Sequence, residues 1–536
     1  MTMLSPTRDL LALTRPGEVG LAEIAPDGHA DLSATHWIPA GDWHLAGWAA
    51  PNRVVLRRRG EFGLLDTDRR MLTSSHPVVG RTLRYDGEEV LVAVVRDGRP
   101  MLCVHRPADG SYRIIDGTEG VQSVAAWTRD TLVFTGDGRV RLIHDGERLD
   151  LDAVSAAGDG PLVALTGEGE VPGVLDLTTG RTRWYATGSA GVAVSPSGLL
   201  LTTTWADHRY VHRVLNSDGD IIGTSVPDHG IATDLAFTAD ERHLLGLHQS
   251  PAASPALTRW TIHSGQMRPL PGQRREEITV RWRHRESAQS PEWLYEPENG
   301  HGGVVVHLHG GPRSQLRQIH EPMIAALVAA GWTVIGMNYP GSSGYGDAFR
   351  DVVVGDWGGA DARAVVDRLR ELRGDRPLCL YGQSYGAYLA LLAASSELVD
   401  AVAVWAPVTD IVALLDSASG LHREWLRTEL GALADDPDQL RERSPLHRPF
   451  VLPRLMIGHR EGDDRVPVAQ SRAFVELHGA ERYVEQRGAG HEPGDMAAWT
   501  AGVVAHLAES VCGDNARGGN EPPGERTAPG LAEVLA

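Results

Sequence analysis

A serine bracketed by glycines, GQSYG at 382–386, sits between an apolar run and an Ala- and Leu-rich run. The first run, Leu378 to Tyr381, suits a buried parallel strand; the second, Tyr385 to Leu392, suits a helix. A turn between them leaves little room for Cβ atoms, and glycines two residues either side of Ser384 relieve the crowding. The pattern is G-x-S-x-G, the nucleophile elbow that presents a serine hydroxyl at the top of a sheet. The chemistry on offer is attack of Oγ on a carbonyl carbon. The same five residues also read as a glycine-rich turn with a passive serine, so the partners must decide.

A serine hydroxyl needs a base, and an acid to orient that base. Lysine is absent from all 536 residues. This excludes Schiff-base, Walker and Ser-Lys chemistry and leaves histidine or a carboxylate as base. In the order serine, acid, histidine, two candidates follow the elbow. RLMIGHREGDDRVP is a strand followed by a loop with Asp463 and Asp464; RYVEQRGAGHEP is a short strand followed by a loop with His491. Each also has a plain reading, as a solvated acidic loop and as one of 23 histidines. His478 competes but falls inside an expected helix. A tetrahedral intermediate further needs two donors aimed at its oxygen. The backbone N–H of Tyr385 supplies one. The loop HGGP, His309 to Pro312, follows the strand VVVHL and supplies the other, at Gly311 because Pro312 has no N–H.

The elements that must position these residues come in two rhythms. From about 17 to 275 short alternating strands recur, punctuated by Asp-Gly turns; TLVFT-GDG-RVRLIH at 131–144 reads as a hairpin. About 260 residues of this kind fit a propeller of six or seven blades at roughly 40 residues each. After about 276 the strands VVVHL, WTVIGMN, PLCLYG, DAVAVWA and RLMIG alternate with helical stretches, which implies a parallel sheet covered on both faces. The expected organisation is an N-terminal segment 1–16, with a short helix over Thr7 to Leu13, and an all-β propeller over 17–280. An α/β-hydrolase domain with a mostly parallel sheet follows over 281–512, then a disordered tail over 513–536.

Composition narrows the function. Apolar residues make up 42% and charged residues 23%, as in ordinary globular chains. A net charge of −19, from 51 basic and 70 acidic residues, argues against nucleic acid or an anionic membrane as partner. No apolar run reaches transmembrane length, and the opening residues carry no signal-peptide pattern. Cys103, Cys379 and Cys512 form neither a disulfide framework nor a metal spacing, so a cytoplasmic location is expected.

Together HGGP at 309, NYPGSSGYG at 338, GDWGG at 355, GQSYGAY at 382, DDRVP at 463 and GAGH at 488 resemble the prolyl oligopeptidase family of serine peptidases, in its acylaminoacyl-peptidase-like branch. The resemblance covers about 285–505 by motif and the propeller by architecture, with a weak SPSG signature at 195. It implies Asp463 as the acid, and Ser384, His491 and Asp463 as the triad of a serine peptidase forming an acyl-enzyme. It implies short peptide substrates, with the propeller restricting access, and no metal or organic cofactor. Arg465 would bind a substrate carbonyl or make a local ion pair, and Tyr345 lies in a motif near the family's substrate site. Three departures stand out: Pro340 where the family commonly has arginine, Ala387 for a usual glycine, and Pro493 soon after the histidine. Homo-oligomers through the propeller and its edges are compatible with the sequence. An esterase or amidase, or a dedicated biosynthetic peptide-processing hydrolase, would use the same triad. A non-catalytic propeller binding protein is the reading of another class, and the intact motifs count against it.

Overall fold

The computed structural model describes residues 2–4, 9–15, 18–40, 43–50, 53–58, 61–77, 81–85, 88–96, 99–127, 130–158, 161–186, 190–206, 209–227, 229–287, 289–418, 420–449 and 453–512. The expected tail at 513–536 lies outside them. Two units divide the chain. One comprises Met1–Ile278, Arg317–Glu321 and Ser419–Glu424; the other comprises Thr279–Leu316, Pro322–Ala418 and the chain from Trp425 onward.

The first unit holds seven four-stranded antiparallel sheets, each built from one contiguous stretch of chain. Its turns follow the expected chemistry. Thr131–Gly136 pairs with Arg139–His144 across Asp137-Gly138, where both residues have positive φ (51° and 74°). That is the turn whose twist matches the strands it joins. Seven apolar seams lie between consecutive sheets. The last joins the final sheet to the first, through Leu245, Leu257 and Leu270 against Leu11, Leu13 and Ala22. Seven sheets with seven seams make a closed ring, a seven-bladed propeller.

One expectation fails here. The described residues of 1–16 are not a separate segment, and Leu10 to Leu13, expected as part of a short helix, lie in a strand; Thr7 and Arg8 fall outside the described residues. Thr2–Leu4 and Leu10–Arg15 pair with each other, and with Glu18–Glu23 and His36–Pro39 they form the first blade. Leu11, Ala12 and Leu13 are all buried, because blades cover both faces of the strand. A strand buried on both sides loses its alternation, and a short apolar run then fits helix or strand equally.

The second unit is built on one eight-stranded sheet. Its strands are β1 (Val280–Arg285), β2 (Glu292–Pro297), β3 (Val304–Leu308), β4 (Thr333–Met337), β5 (Leu378–Gln383), β6 (Ala401–Trp405), β7 (Arg454–Gly462) and β8 (Arg482–Ala489). Their order is β1-β2-β4-β3-β5-β6-β7-β8. β1, β2 and β4 pair antiparallel; all other neighbours are parallel. This is the α/β-hydrolase arrangement. The sequence showed β3 to β8. β1 and β2, an antiparallel hairpin, fell outside the strand-helix alternation that revealed the rest. The helix Tyr385–Ala394 has every residue buried. It shows no amphipathic stripe because it packs on all sides in the core. No helix among the described residues is long and apolar enough to cross a membrane.

Candidate active site

β5 ends at Gln383, and the next residue, Ser384, adopts φ 54° and ψ −116°. Positive φ on a non-glycine residue costs on the order of 1–3 kcal/mol and persists only where the surroundings impose it. Here Ser384 N–H donates to the Trp405 carbonyl at 2.8 Å, and its own carbonyl accepts from Tyr388 N at 3.0 Å. Both flanking glycines are sterically required. A Cβ on Gly382 would lie 2.4 Å from the Gly386 carbonyl oxygen; one on Gly386 would lie 2.1 Å from the Leu308 oxygen and 2.4 Å from the His309 oxygen. These obstacles are backbone atoms that cannot swing aside. We expect Gly386→Ala to lower stability by at least about 3 kcal/mol, the upper range for overpacking, read from the denaturation midpoint. Gly310→Ala is the control, because its Cβ would meet nothing closer than 3.5 Å.

The loop after β3 lies against the elbow: a Cβ on Gly310 would sit 3.5 Å from the Ser384 Cβ. The NYPGSSGYG motif holds this loop. Tyr339 O–H donates to the His309 carbonyl at 2.7 Å, and the two rings stack at 4.4 Å. His309 Nε2 meets Ser342 Oγ at 2.8 Å. Burial lowers the His309 pKa to about 4, so the ring is neutral at ordinary pH. Gly311 has φ 154°. Next to Pro312, Arg313 ties the loop down, with Nε 2.9 Å from the buried Glu429 carboxylate.

Asp463 and His491 meet. His491 Nδ1–H donates to Asp463 Oδ2 at 2.6 Å, and both side chains are buried. Asp463 Oδ1 accepts from the N–H groups of Arg465 (2.9 Å) and Val466 (3.0 Å). His459 Nε2 lies 3.4 Å from Oδ2. Burial works to raise the Asp463 carboxyl, but the His459 and His491 rings and the Val466 N–H outweigh it. The acid is held well below the usual carboxylate range. Asp464, its neighbour, which spacing alone did not separate from it, is exposed. A proton on His491 Nδ1 leaves Nε2 with a free lone pair, the form a general base requires.

The His491 loop is gripped from several sides. Trp405 Nε1 donates to the His491 carbonyl at 2.7 Å, so one residue of β6 braces both Ser384 and His491. Gly490 N–H reaches the Gly462 carbonyl at 3.1 Å. The Arg460 guanidinium fills the space where Cβ atoms on Gly488, Gly490 and Gly494 would intrude, at 3.1–3.2 Å. The Gln383 side-chain amide pairs with the Glu492 carboxylate.

The remaining expected residues fall differently. The Tyr345 hydroxyl oxygen accepts from Asn338 Nδ2–H at 2.8 Å and lies 3.3 Å from His284 Nε2, in an aromatic cluster with Phe349. Arg465 is exposed, and its guanidinium makes no ion pair among the described residues. His478 is used up by the Leu446 carbonyl at 2.9 Å. Trp405 and Arg460 escaped the sequence reading. The only signal for either was its place at the end of a strand neighbouring the elbow or the acid loop.

Residues 320–486 match the profile of the prolyl oligopeptidase family. The second unit thus carries a prolyl oligopeptidase family domain. Among curated relatives, the uncharacterized peptidase YuxL of Bacillus subtilis (strain 168) is 26% identical over 200 residues, 34% of this chain and 30% of the relative. Dipeptidyl aminopeptidase BIII of Pseudoxanthomonas mexicana is 27% identical over 261 residues, 43% of this chain and 38% of the relative. The chain therefore spans about a third of the length of the curated relatives it matches. A crystal structure of puromycin hydrolase covers 95% of this chain and 94% of its own at a TM-score of 0.75, with 17% identity. That last likeness is one of fold.

Proposed function

We propose that the chain is a serine peptidase that hydrolyses short peptides through Ser384, His491 and Asp463. The observation that carries this reading is the buried 2.6 Å bond from His491 Nδ1 to Asp463, in the same sheet whose elbow forces Ser384 to positive φ. His491 Nε2 takes the Ser384 proton as Oγ attacks the substrate carbonyl. The Tyr385 and Gly311 N–H groups stabilise the oxyanion. His491 then protonates the departing amine, and water attacks the acyl-enzyme by the same route in reverse. Arg465, exposed two residues after the acid, offers a cation to a substrate carbonyl, and Tyr345 completes the substrate side in this reading. The propeller would restrict access to short peptides. The buried free thiols of Cys103 and Cys379 fit a reducing cytoplasm.

The test is a panel of short p-nitroanilides, free and N-acetylated, with simple esters beside them and a Ser384→Ala control. Puromycin, itself an aminoacyl amide, belongs in it because the structural relative is named for hydrolysing it. Ser384-dependent amide cleavage supports the peptidase. Ester cleavage with no amide turnover replaces it with an esterase. A folded protein whose Ser384 resists fluorophosphonate labelling refutes both.

A further inference from the structure

Directly behind the elbow lies a carboxyl that the proposed chemistry does not use. Asp361 is fully buried in the first turn of the helix Ala360–Leu372. Its Oδ2 accepts from Tyr385 O–H at 2.5 Å and from Gly358 N–H at 3.4 Å, and its Oδ1 accepts from Ala362 N–H at 2.8 Å. Among the described residues no cation pairs with it. Burial lifts this carboxyl to about 6, with the Tyr385 hydroxyl and the two N–H groups pulling the other way and Asp356 adding a push upward. A buried carboxyl without a counter-ion is costly. A phenylalanine at 385 facing an apolar residue would avoid that cost. The fold instead keeps a polar bond on the residue that follows the nucleophile.

Tyr385 is pinned at both ends. Its hydroxyl is fixed by Asp361, and its ring is boxed by Trp357 (4.8 Å), Tyr388 (5.3 Å) and Tyr339 (6.1 Å). Tyr339 in turn stacks on His309 and bonds its carbonyl, one residue before Gly310-Gly311. The two backbone donors expected to face an oxyanion therefore lean on one run of ring contacts, His309 stacked on Tyr339 and Tyr339 tilted against Tyr385, with Asp361 at its end. We propose that Asp361 is a positioning residue that fixes the Tyr385 side chain, and through it the angle of the Tyr385 N–H in the oxyanion hole. This rests on Ser384 being the nucleophile.

The carboxylate accepts from three donors, so the isosteric Asp361→Asn must point its NH2 at one of them. With active sites counted by fluorophosphonate titration, Asp361→Asn and Tyr385→Phe are each expected to lower kcat by about 10-fold, less than full loss of an oxyanion donor. KM should stay within about two-fold, because the hole acts on the transition state. The double variant should be no slower than the worse single, since both cut one bond. A peptide boronate, which forms a tetrahedral adduct, should weaken by about the same factor, while a non-covalent product peptide binds unchanged. Unchanged kcat, a loss confined to KM, or losses that multiply in the double variant would each overturn the proposal. If Asp361→Asn does not fold, Tyr385→Phe alone carries the kcat and boronate readings. If the wild type turns over nothing in a Ser384-dependent way, the peptidase reading falls by itself. The rate of fluorophosphonate labelling then decides on Asp361: slower in Asp361→Asn upholds the positioning role, unchanged rejects it.

Discussion

Replacing Ser384 by alanine is expected to reduce kcat on any cleaved amide by roughly 10^4- to 10^6-fold, the range for loss of an activated nucleophile, with KM little changed. The residual rate would come from binding and the oxyanion donors, which the substitution leaves in place. Stability should hardly move, because alanine is no happier than serine at φ 54°. Glycine is the informative second substitution. It has no Cβ to clash, so Ser384→Gly should be as inactive as Ser384→Ala yet more stable, by about 1 kcal/mol for strain of this kind. Equal activity in wild type and Ser384→Ala would remove the serine from the chemistry. Equal stability of the alanine and glycine variants would show that the elbow stores no strain.

Asp463→Asn is expected to cost on the order of 10^4 in kcat, and the geometry says why. The N–H groups of Arg465 and Val466 both need an oxygen at the Oδ1 position. That requirement orients the amide and puts its NH2 where Oδ2 was, facing His491 Nδ1. Nδ1 must then accept rather than donate, the ring proton moves to Nε2, and Nε2 can no longer take the serine proton. Asp463→Ala lacks the misplaced donor and should be no worse. A second readout needs no substrate. The native Asp463 carboxyl lies below its unfolded value of about 3.9, so the stability it adds is complete above that pH and is lost as pH falls through the native value. Denaturation midpoints at about pH 5 and about pH 2.5 should therefore lie further apart in wild type than in Asp463→Asn. An acid-side loss of the same size in both would mean that the His491 and His459 contacts do not hold the carboxyl down.

The residues proposed to touch the reacting atoms were legible because their chemistry restricts them. Only glycine fits at 382 and 386, where backbone carbonyls stand within 2.4 Å of a notional Cβ. The acid and the histidine each follow a strand, in the order the fold requires. Their supports were illegible for an equally physical reason. Trp405 looks like any buried strand residue, and its indole N–H matters only because the chain brings His491 past it 86 residues later. Asp361 looks like the ordinary acid of a helix's first turn. Its meeting with Tyr385 depends on how two helices pack. The choice between Asp463 and Asp464 was beyond spacing alone; burial of one and exposure of the other separates them. The blade count hid because a blade asks only for alternation and turns, which many sequences satisfy, and the first blade depended on a strand, Leu10–Arg15, most of which was expected as a helix.

The propeller's seventh seam has a mechanical consequence. No described strand pairing crosses it; loop bonds such as Leu32 N–H to the Pro271 carbonyl and the Arg259–Asp27 ion pair are its polar links. Beside Ile24, Ala22 and Ala30, five leucines, at 11, 13, 245, 257 and 270, carry most of the rest. At about 2 kcal/mol apiece their burial amounts to roughly 10 kcal/mol, against about 1 kcal/mol for a typical hydrogen bond. The ring thus behaves like a clasped bracelet rather than a forged hoop. Under tension it would part at the clasp with every blade's ladder whole, and on release the same greasy surfaces would snap it shut.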